Sequence, residues 1–199
     1  CTECGLCNKV CPRESTDIFN KPLCGYAAVN KNNEVLMNSS SGGVFSAVAE
    51  YVLDLGGVVF GCTMDSNNQV YHTCINSIDS LSSVTRSKYV QSYMGDIFVK
   101  VKAELLKGSW VLVSGTPCIV AGIKNFLKKY DLSKLILVDV VCHGVPSQAF
   151  FDSYLEFLNI KYDGISKYQF RTKIKVNNGM SWLHSYYINK YKRKIVRNW

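Results

Sequence analysis

The chain has 199 residues, of which 47% are hydrophobic and 19% are charged. This composition fits a globular domain of ordinary size and excludes a fibrous or largely disordered chain. No apolar run approaches the roughly 20 residues that cross a bilayer, so no membrane span is expected. The net charge of +8 arises after Asp163, where there are nine basic residues and no acidic one. We expect this segment to be solvated or to attract an anionic cofactor or acidic partner, and we expect no nucleic-acid binding.

Four of the nine cysteines stand within the first eleven residues. Cys1, Cys4, Cys7 and Cys11, followed by Pro12, form the run C-x2-C-x2-C-x3-C-P that bacterial ferredoxins use for iron–sulfur clusters. Zinc sites usually pair two C-x2-C elements across a longer gap, so we expect a 4Fe–4S cluster and keep zinc as the alternative. One such run is half of a ferredoxin-like module, which predicts a fragment of a longer protein. Reduced thiols of this kind favour a cytoplasmic location.

A polar segment after the cysteine run is predicted to be a loop. Behind it, Ser41, Gly42 and Gly43 open a predicted amphipathic helix that ends at Gly56. The first N–H groups of a helix and the helix dipole favour anions, so this turn is a candidate phosphate site, with plain helix capping as the alternative. The predicted organisation is a cluster module, a linker and a main domain, over residues 1–29, 30–40 and 41–199.

Hydrophobic periodicity predicts the remaining elements in chain order. Strands are predicted over residues 58–64, 69–75, 110–114 and 135–141. Helices are predicted over residues 77–84, 96–107 and 148–158, with another helix between the last two strands. The alternation of strand and helix implies parallel neighbouring strands. We therefore expect an α/β fold with a mixed, partly parallel sheet and flanking helices, preceded by half of a ferredoxin-like iron–sulfur module.

Two more cysteines directly follow the predicted parallel strands. Cys118 lies in the turn after residues 110–114, and Cys142 lies in the turn after residues 135–141. Ligands gather at the carboxyl ends of parallel strands, so these two thiols could share one metal site. The equally weighted alternative is that both are free cysteines buried as apolar residues.

Other polar residues carry weaker signals. The segment Arg86–Ser92 has no clear helical or strand period, and its cations, aromatic ring and hydrogen-bonding groups would suit a phosphate and a ring system. His143 is a candidate general acid, with a structural histidine as the alternative. His72 and His184 show no partner in the sequence and are assigned no role.

Five motifs, in this order, resemble the coenzyme F-420 hydrogenase/dehydrogenase beta-subunit family: CTECGLCNKVCP, SSSGGVFSAVAEYVLDLGGVVFG, RSKYVQS, VSGTPCIVAGIK and DVVCHGVPS. The resemblance covers essentially the whole chain. It implies an iron–sulfur flavoprotein oxidoreductase that passes electrons between a hydride carrier, FAD and 4Fe–4S clusters. The hydride carrier would be the deazaflavin coenzyme F-420 or another substrate, and the electron partner a redox protein or ferredoxin.

The resemblance also implies roles for individual residues. Its FAD-binding positions are the turn at the phosphates, Ser41, Gly42 and Gly43, and the segment lining the flavin, Lys88, Tyr89, Gln91 and Ser92. Cys118 and Cys142 would be two ligands of a further 4Fe–4S cluster. The other two ligands in that family come from a C-x2-C pair that lies beyond this sequence, so the main domain is expected to be truncated at its C-terminus.

Three functions compete at this level. A flavin exchanges two electrons with hydride donors and single electrons with clusters, so the first hypothesis is an FAD- and iron–sulfur-dependent enzyme. The alternative is a non-catalytic electron-transfer subunit that wires clusters between partner proteins. The third is an interaction domain stabilised by zinc.

Overall fold

The helices and strands of the computed structural model follow the order expected from the hydrophobic pattern. The structure describes residues 3–5, 8, 11, 21–176 and 179–197. Its helices are α1 (Asn33–Met37), α2 (Val44–Asp54), α3 (Leu81–Val84), α4 (Ile97–Leu106), α5 (Pro117–Leu127) and α6 (Gln148–Tyr162). Its strands are β1 (Val58–Met64), β2 (Val70–Ile75), β3 (Val111–Gly115), β4 (Leu135–Asp139), β5 (Ile165–Val176), β6 (Gly179–Ile188) and β7 (Arg193–Arg197).

The first sheet has four strands in the order β2-β1-β3-β4. β1 pairs with β2 in the antiparallel sense and with β3 in the parallel sense, and β3 pairs with β4 in parallel. Since α5 connects β3 to β4, this part is a β-α-β unit. The prediction of an α/β fold with a mixed sheet and flanking helices is confirmed.

Side-chain alternation along β3 divides the core of this sheet between its two faces. Leu112 packs on one face with Ala49 and Val52 of α2. Val111 and Val113 point to the other face, where residues of α4 and α5 cover them. The sheet therefore has helices on both sides, which leaves its strand ends as the places where polar loops gather.

The second sheet contains β5, β6 and β7 in antiparallel order, and α6 packs against it. In the sequence, this region reads as a strand only at its end, toward Trp199. The β5–β6 register shifts between Ser166 and Gln169 and again between Gln169 and Thr172. Lys167 also has a positive φ of 54°. These irregularities break the period-two pattern that would have identified β5.

Three local predictions need correction. Residues 33–37 form α1 instead of a loop, because the Asn32 side chain accepts hydrogen bonds from the N–H groups of Glu34 and Val35 at 2.9 and 3.3 Å. The helix predicted from Ser77 is a 3-10 turn (Ile78–Ser80) followed by α3. The strand predicted up to residue 141 ends at Asp139. Within the described part of the chain, none of the helices has the length and apolar character of a transmembrane span.

Candidate functional site

Two loops that were predicted to bind different parts of one ligand meet just before the start of α2. The backbone N–H of Ser87 donates a hydrogen bond to the Ser40 hydroxyl oxygen at 2.8 Å. The Arg86 guanidinium donates to the Asn38 carbonyl oxygen at 2.9 Å and to the Asn38 side-chain oxygen at 2.8 Å. The turn before α2 and the segment 86–92 are thus held side by side.

The two glycines of the turn are required by the fold of the chain itself. A Cβ atom on Gly42 would lie 2.4 Å from the carbonyl oxygen of Ala28, and the Asn30 N–H donates to the Gly42 carbonyl at 2.6 Å. Gly43 is the N-cap of α2 and has a φ of 76°, which favours glycine. As in other helices, the first N–H groups of α2 lack intrahelical partners, so the turn still suits an anion. The close approach at Gly42, however, is made by the Ala28 backbone.

Lys173 on β5 also contacts the turn before α2. Its side chain is only 8% exposed, and its ammonium donates to the carbonyl oxygens of Leu36, at 2.6 Å, and Ser41. Burial lowers the pKa of Lys173, and the nearby charge of Arg171 lowers it further. The expectation of a solvated basic segment is therefore wrong for Lys173, which places a buried cation beside the turn.

Lys88, predicted to line a flavin, directs its ammonium into the protein. It donates to the carbonyl oxygens of Cys62 and Thr85 at 2.7 Å each, and to that of Ser83 at 3.3 Å. Burial lowers the pKa of Lys88 to about 8. An ammonium has three donors, so these three carbonyls account for all of them. Lys88 therefore fixes the segment 86–92 to the end of β1.

Tyr89 and Gln91 are the solvent-exposed residues of the segment 88–91. Tyr89 is 39% exposed, its ring packs edge-on against Phe170 at 6.1 Å, and its hydroxyl accepts a hydrogen bond from Arg171 at 3.3 Å. Gln91 is exposed, and its backbone N–H donates to the Pro146 carbonyl at 2.9 Å. That bond ties the segment to the loop that contains Cys142 and His143.

Ser92 is hydrogen-bonded to His72, a histidine for which the sequence predicted no role. The Ser92 hydroxyl oxygen lies 2.6 Å from Nδ1 of His72, whose Nε2 lies 3.0 Å from the Ser114 carbonyl oxygen. His72 is 6% exposed, and burial is the largest cause of its lowered pKa. The signal that could have revealed it is its inward position in the alternating pattern of β2.

Cys118 and Cys142 follow the carboxyl ends of adjacent parallel strands, as predicted. Gly115 at the end of β3 pairs with Asp139 at the end of β4, and the Val140 N–H donates to the Gly115 carbonyl at 3.0 Å. Cys118 is exposed on the first turn of α5, and Cys142 is half-buried. Their role as metal ligands stays a prediction.

The two thiols have different local contacts. The Sγ atom of Cys118 lies 3.1 Å from the Thr116 hydroxyl oxygen, and the Gly144 N–H donates to Sγ of Cys142 at 3.4 Å. The thiolate is the form of cysteine that binds metals. Where the structure is described, no group of three or more histidine, cysteine, aspartate or glutamate side chains could hold a metal ion. The pair would therefore need additional ligands.

The ferredoxin-like run is described only in part. Cys4 is exposed and Cys11 is half-buried. Cys1 and Cys7 lie outside the described residues, so the predicted N-terminal cluster stays a prediction.

The remaining histidines lie in different surroundings. His143 is exposed in the loop after β4, next to Cys142. His184 is buried on β6, where its ring stacks on Tyr168 and Tyr186 at centroid distances of 6.3 and 6.1 Å. His184 is therefore part of the aromatic packing under α6, whereas His143 is open to a ligand.

Comparisons with known proteins agree with the resemblance found in the motifs. Residues 108–196 match the family model for the C terminus of the coenzyme F420 hydrogenase/dehydrogenase beta subunit. A solved structure described as the F420-reducing [NiFe] hydrogenase complex from Methanosarcina barkeri contains a chain with a similar fold. The TM-score is 0.54 at 15% sequence identity, and the match covers 82% of this chain and 62% of that chain.

The search of curated proteins found no match. The family match begins just before β3 and includes both strand-end cysteines and all of the second sheet except Arg197. The fold match extends over most of the remaining chain. The resemblance predicted from the sequence is therefore confirmed: residues 108–196 match the family model of the coenzyme F420 hydrogenase/dehydrogenase beta subunit, and the fold is similar to that of a chain in an F420-reducing hydrogenase complex.

Proposed function

We propose that this chain is part of an iron–sulfur flavoprotein oxidoreductase that passes electrons between a hydride carrier, FAD and 4Fe–4S clusters. The hydride carrier would be the deazaflavin coenzyme F-420 or another substrate. The observation that carries this proposal is the hydrogen bond from Gln91 to Pro146, because it joins the segment proposed for the flavin to the loop of Cys142. A flavin and a cluster bound there would be neighbours, as electron transfer between them requires.

The proposed FAD would lie along the two loops that meet at α2. Ser41 and Gly43 at the N-terminus of α2 would hold its phosphates, with Lys173 adding positive charge behind the turn. The exposed side chains of Tyr89 and Gln91 would contact its ring. When bound, FAD would supply the exchange between two-electron and one-electron transfer.

The proposed cluster would lie at the ends of β3 and β4. Cys118 and Cys142 supply two thiolates there, and the Gly144 N–H would stabilise the charge on the second one. His143 is exposed beside Cys142 and is the candidate proton donor to a substrate on the flavin. The N-terminal cysteine run would hold a second cluster and connect it to a partner protein or ferredoxin.

Cofactor analysis of the full-length protein tests the proposal directly. We expect a flavin absorbance spectrum, together with iron and acid-labile sulfide, after anaerobic reconstitution. We also expect coenzyme F-420 or another hydride donor to reduce the flavin. Flavin that does not bind after reconstitution would overturn the proposal, and zinc in place of iron and sulfide would favour the interaction domain.

A non-catalytic electron-transfer subunit is the second candidate function. The observations that favour it are the Ala28 backbone at Gly42 and the use of all three Lys88 donors within the chain, since both reduce the room and charge offered to a ligand. Redox titration separates the two candidates. Reduction by a hydride donor supports the enzyme, whereas reduction by ferredoxin-like proteins alone supports the electron-transfer subunit.

A further inference from the structure

His72 connects the segment proposed for the flavin to the end of β3. Its backbone N–H donates to the Tyr93 carbonyl at 3.0 Å, and the Tyr93 N–H donates to the Val70 carbonyl at 2.9 Å. These bonds hold the chain after Gln91 against β2, so Ser92 lies beside the buried His72 ring. The position of Ser92 is therefore determined by β2.

The partners of the two ring nitrogens determine where the proton of His72 lies. Nε2 is 3.0 Å from the carbonyl oxygen of Ser114, which can only accept a hydrogen bond, so Nε2 carries the proton. Nδ1 of the neutral ring is then an acceptor, and the Ser92 hydroxyl donates to it over 2.6 Å. The Ser92 side chain also hydrogen-bonds to Cys62, but a thiol sulfur is a weaker acceptor than an imidazole nitrogen, so the proton of the Ser92 hydroxyl is directed toward His72.

The charges around the ring agree with a neutral imidazole. Burial lowers the pKa of His72, the hydrogen bond to Ser114 opposes this shift, and the positive charge of Lys88 adds to it. Cys62, which faces His72 across the β1–β2 pair, has a pKa raised by burial and so remains a thiol. These groups keep the ring uncharged near neutral pH.

The direction of the hydrogen bonds from Ser92 to His72 and from His72 to Ser114 limits what the Ser92 hydroxyl can offer to a ligand. Ser92 is half-buried and follows the exposed Gln91 in the segment 88–92. Because its proton is used by His72, its oxygen presents lone pairs, and it can accept but not donate a hydrogen bond there. A flavin ring carries N–H groups that can fill this role.

We propose that His72 is a positioning residue, which holds the Ser92 hydroxyl as a hydrogen-bond acceptor for an N–H group of the bound flavin ring. His72 acts through Ser92 and does not touch the ligand. This inference rests on the proposed function, because it takes the flavin as the ligand of the segment.

A pair of conservative variants separates positioning from simple loss of packing. The oxygen of Asn in His72→Asn lies near the position of Nδ1 and can still accept from Ser92. The longer amide of His72→Gln reaches toward Ser114 and leaves Ser92 without its acceptor. We expect His72→Gln and Ser92→Ala to weaken FAD binding by about 2- to 12-fold, the loss expected for one neutral hydrogen bond, and His72→Asn to stay close to the wild type.

Two measurements on the full-length protein provide the readouts. FAD titration gives the dissociation constants, and ¹⁵N NMR of histidine-labelled protein identifies the protonated nitrogen of His72. We expect a neutral ring protonated at Nε2, with an Nδ1 resonance that shifts in Ser92→Ala. The His72 resonance is assigned by its loss in His72→Asn.

The outcomes distinguish the two proposals. A ring protonated at Nδ1, or equal FAD affinity of wild type, His72→Gln and Ser92→Ala, would overturn the role of His72 while leaving the proposed function intact. A wild-type protein that binds no FAD would overturn the proposed function and the flavin role of His72 together, and the NMR spectrum would then test the Ser92–His72 bond alone. If His72→Gln does not fold, Ser92→Ala decides the affinity comparison, because it leaves His72 in place.

Discussion

The Ser40 hydroxyl oxygen accepts a hydrogen bond from the Ser87 backbone N–H at 2.8 Å, between residues that are 47 positions apart in the chain. Ser40 is buried, and the contact lies beside the two bonds from Arg86 to Asn38. Together, these bonds join two segments that are separate motifs in the sequence. Removal of the Ser40–Ser87 bond should therefore affect both the fold and the binding of any ligand that spans the two loops.

The variant Ser40→Ala tests this relationship. We expect it to lower the free energy of unfolding by about 1–3 kcal/mol, because the Ser87 N–H loses its partner in a half-buried position. Ser66→Ala, in the exposed turn between β1 and β2, is the matched control and should stay within about 0.5 kcal/mol of the wild type. Chemical denaturation measures both, and equal stability of the two variants would argue against a role for the bond.

Gly42→Ala tests the contact between the turn and the residues before α1. The new methyl group would lie 2.4 Å from the Ala28 carbonyl oxygen, so the backbone must move, at a cost of about 1–3 kcal/mol. Gly25→Ala is the control, because a methyl group there has no neighbour within 4 Å. Thermal unfolding should separate the two variants. A Gly42→Ala protein as stable as Gly25→Ala would mean that Ala28 does not lie against the turn.

The sequence predicted the first sheet well, because its parallel strands are short apolar runs bounded by glycine turns and amphipathic helices. Cys118 and Cys142 were placed at one sheet edge for the same reason, since the β-α-β order fixes which strand ends are adjacent. The segment Arg86–Ser92 was identified from its composition. Its neighbours could not be identified, because the contacts to Asn38 and Ser40 join residues far apart in the chain.

Two buried polar residues could not be predicted. Lys173 belongs to a strongly basic segment, and composition alone assigns such residues to solvent. It is buried because the carbonyl oxygens of Leu36 and Ser41 compensate its charge, and these belong to α1 and to the turn before α2, far away in the sequence. His72 likewise depends on Ser92 and Ser114, which come from the segment 86–92 and from β3. In both cases the partners, not the residue type, decide burial.

Metal analysis of cysteine variants tests the proposed cluster at the sheet edge. We expect Cys118→Ser and Cys142→Ser each to reduce the iron and acid-labile sulfide of the reconstituted full-length protein, because a serine hydroxyl is a poorer ligand than a thiolate. Cys74→Ser, at an exposed cysteine on β2, should keep the wild-type content. Unchanged iron in both strand-end variants would contradict their assignment as ligands.

The pH dependence of stability tests the burial of the Lys88 ammonium. Its pKa is lowered from the ordinary 10.5 to about 8 in the folded chain. Between these two values the unfolded chain binds more protons at this site than the folded chain does, so Lys88 makes the free energy of unfolding rise with pH. We expect the free energy of unfolding of the wild type, relative to that of Lys88→Met, to increase between about pH 8 and pH 9, in the lower part of this window. Urea denaturation measures this difference.

The comparison must be made as a difference, because other groups titrate nearby. Burial also raises the pKa of the Cys62 thiol and of Tyr168, and both shifts make stability fall as the pH rises above their ordinary values. The Tyr168 contribution is common to wild type and Lys88→Met, so it cancels. The Lys88 charge lowers the pKa of Cys62, so the comparison is made with Cys62→Ser present in both proteins. Lys21→Met, at an exposed lysine, controls for the loss of a positive charge. If the difference between wild type and Lys88→Met does not change with pH across this range, the ammonium is not desolvated as its three carbonyl contacts indicate.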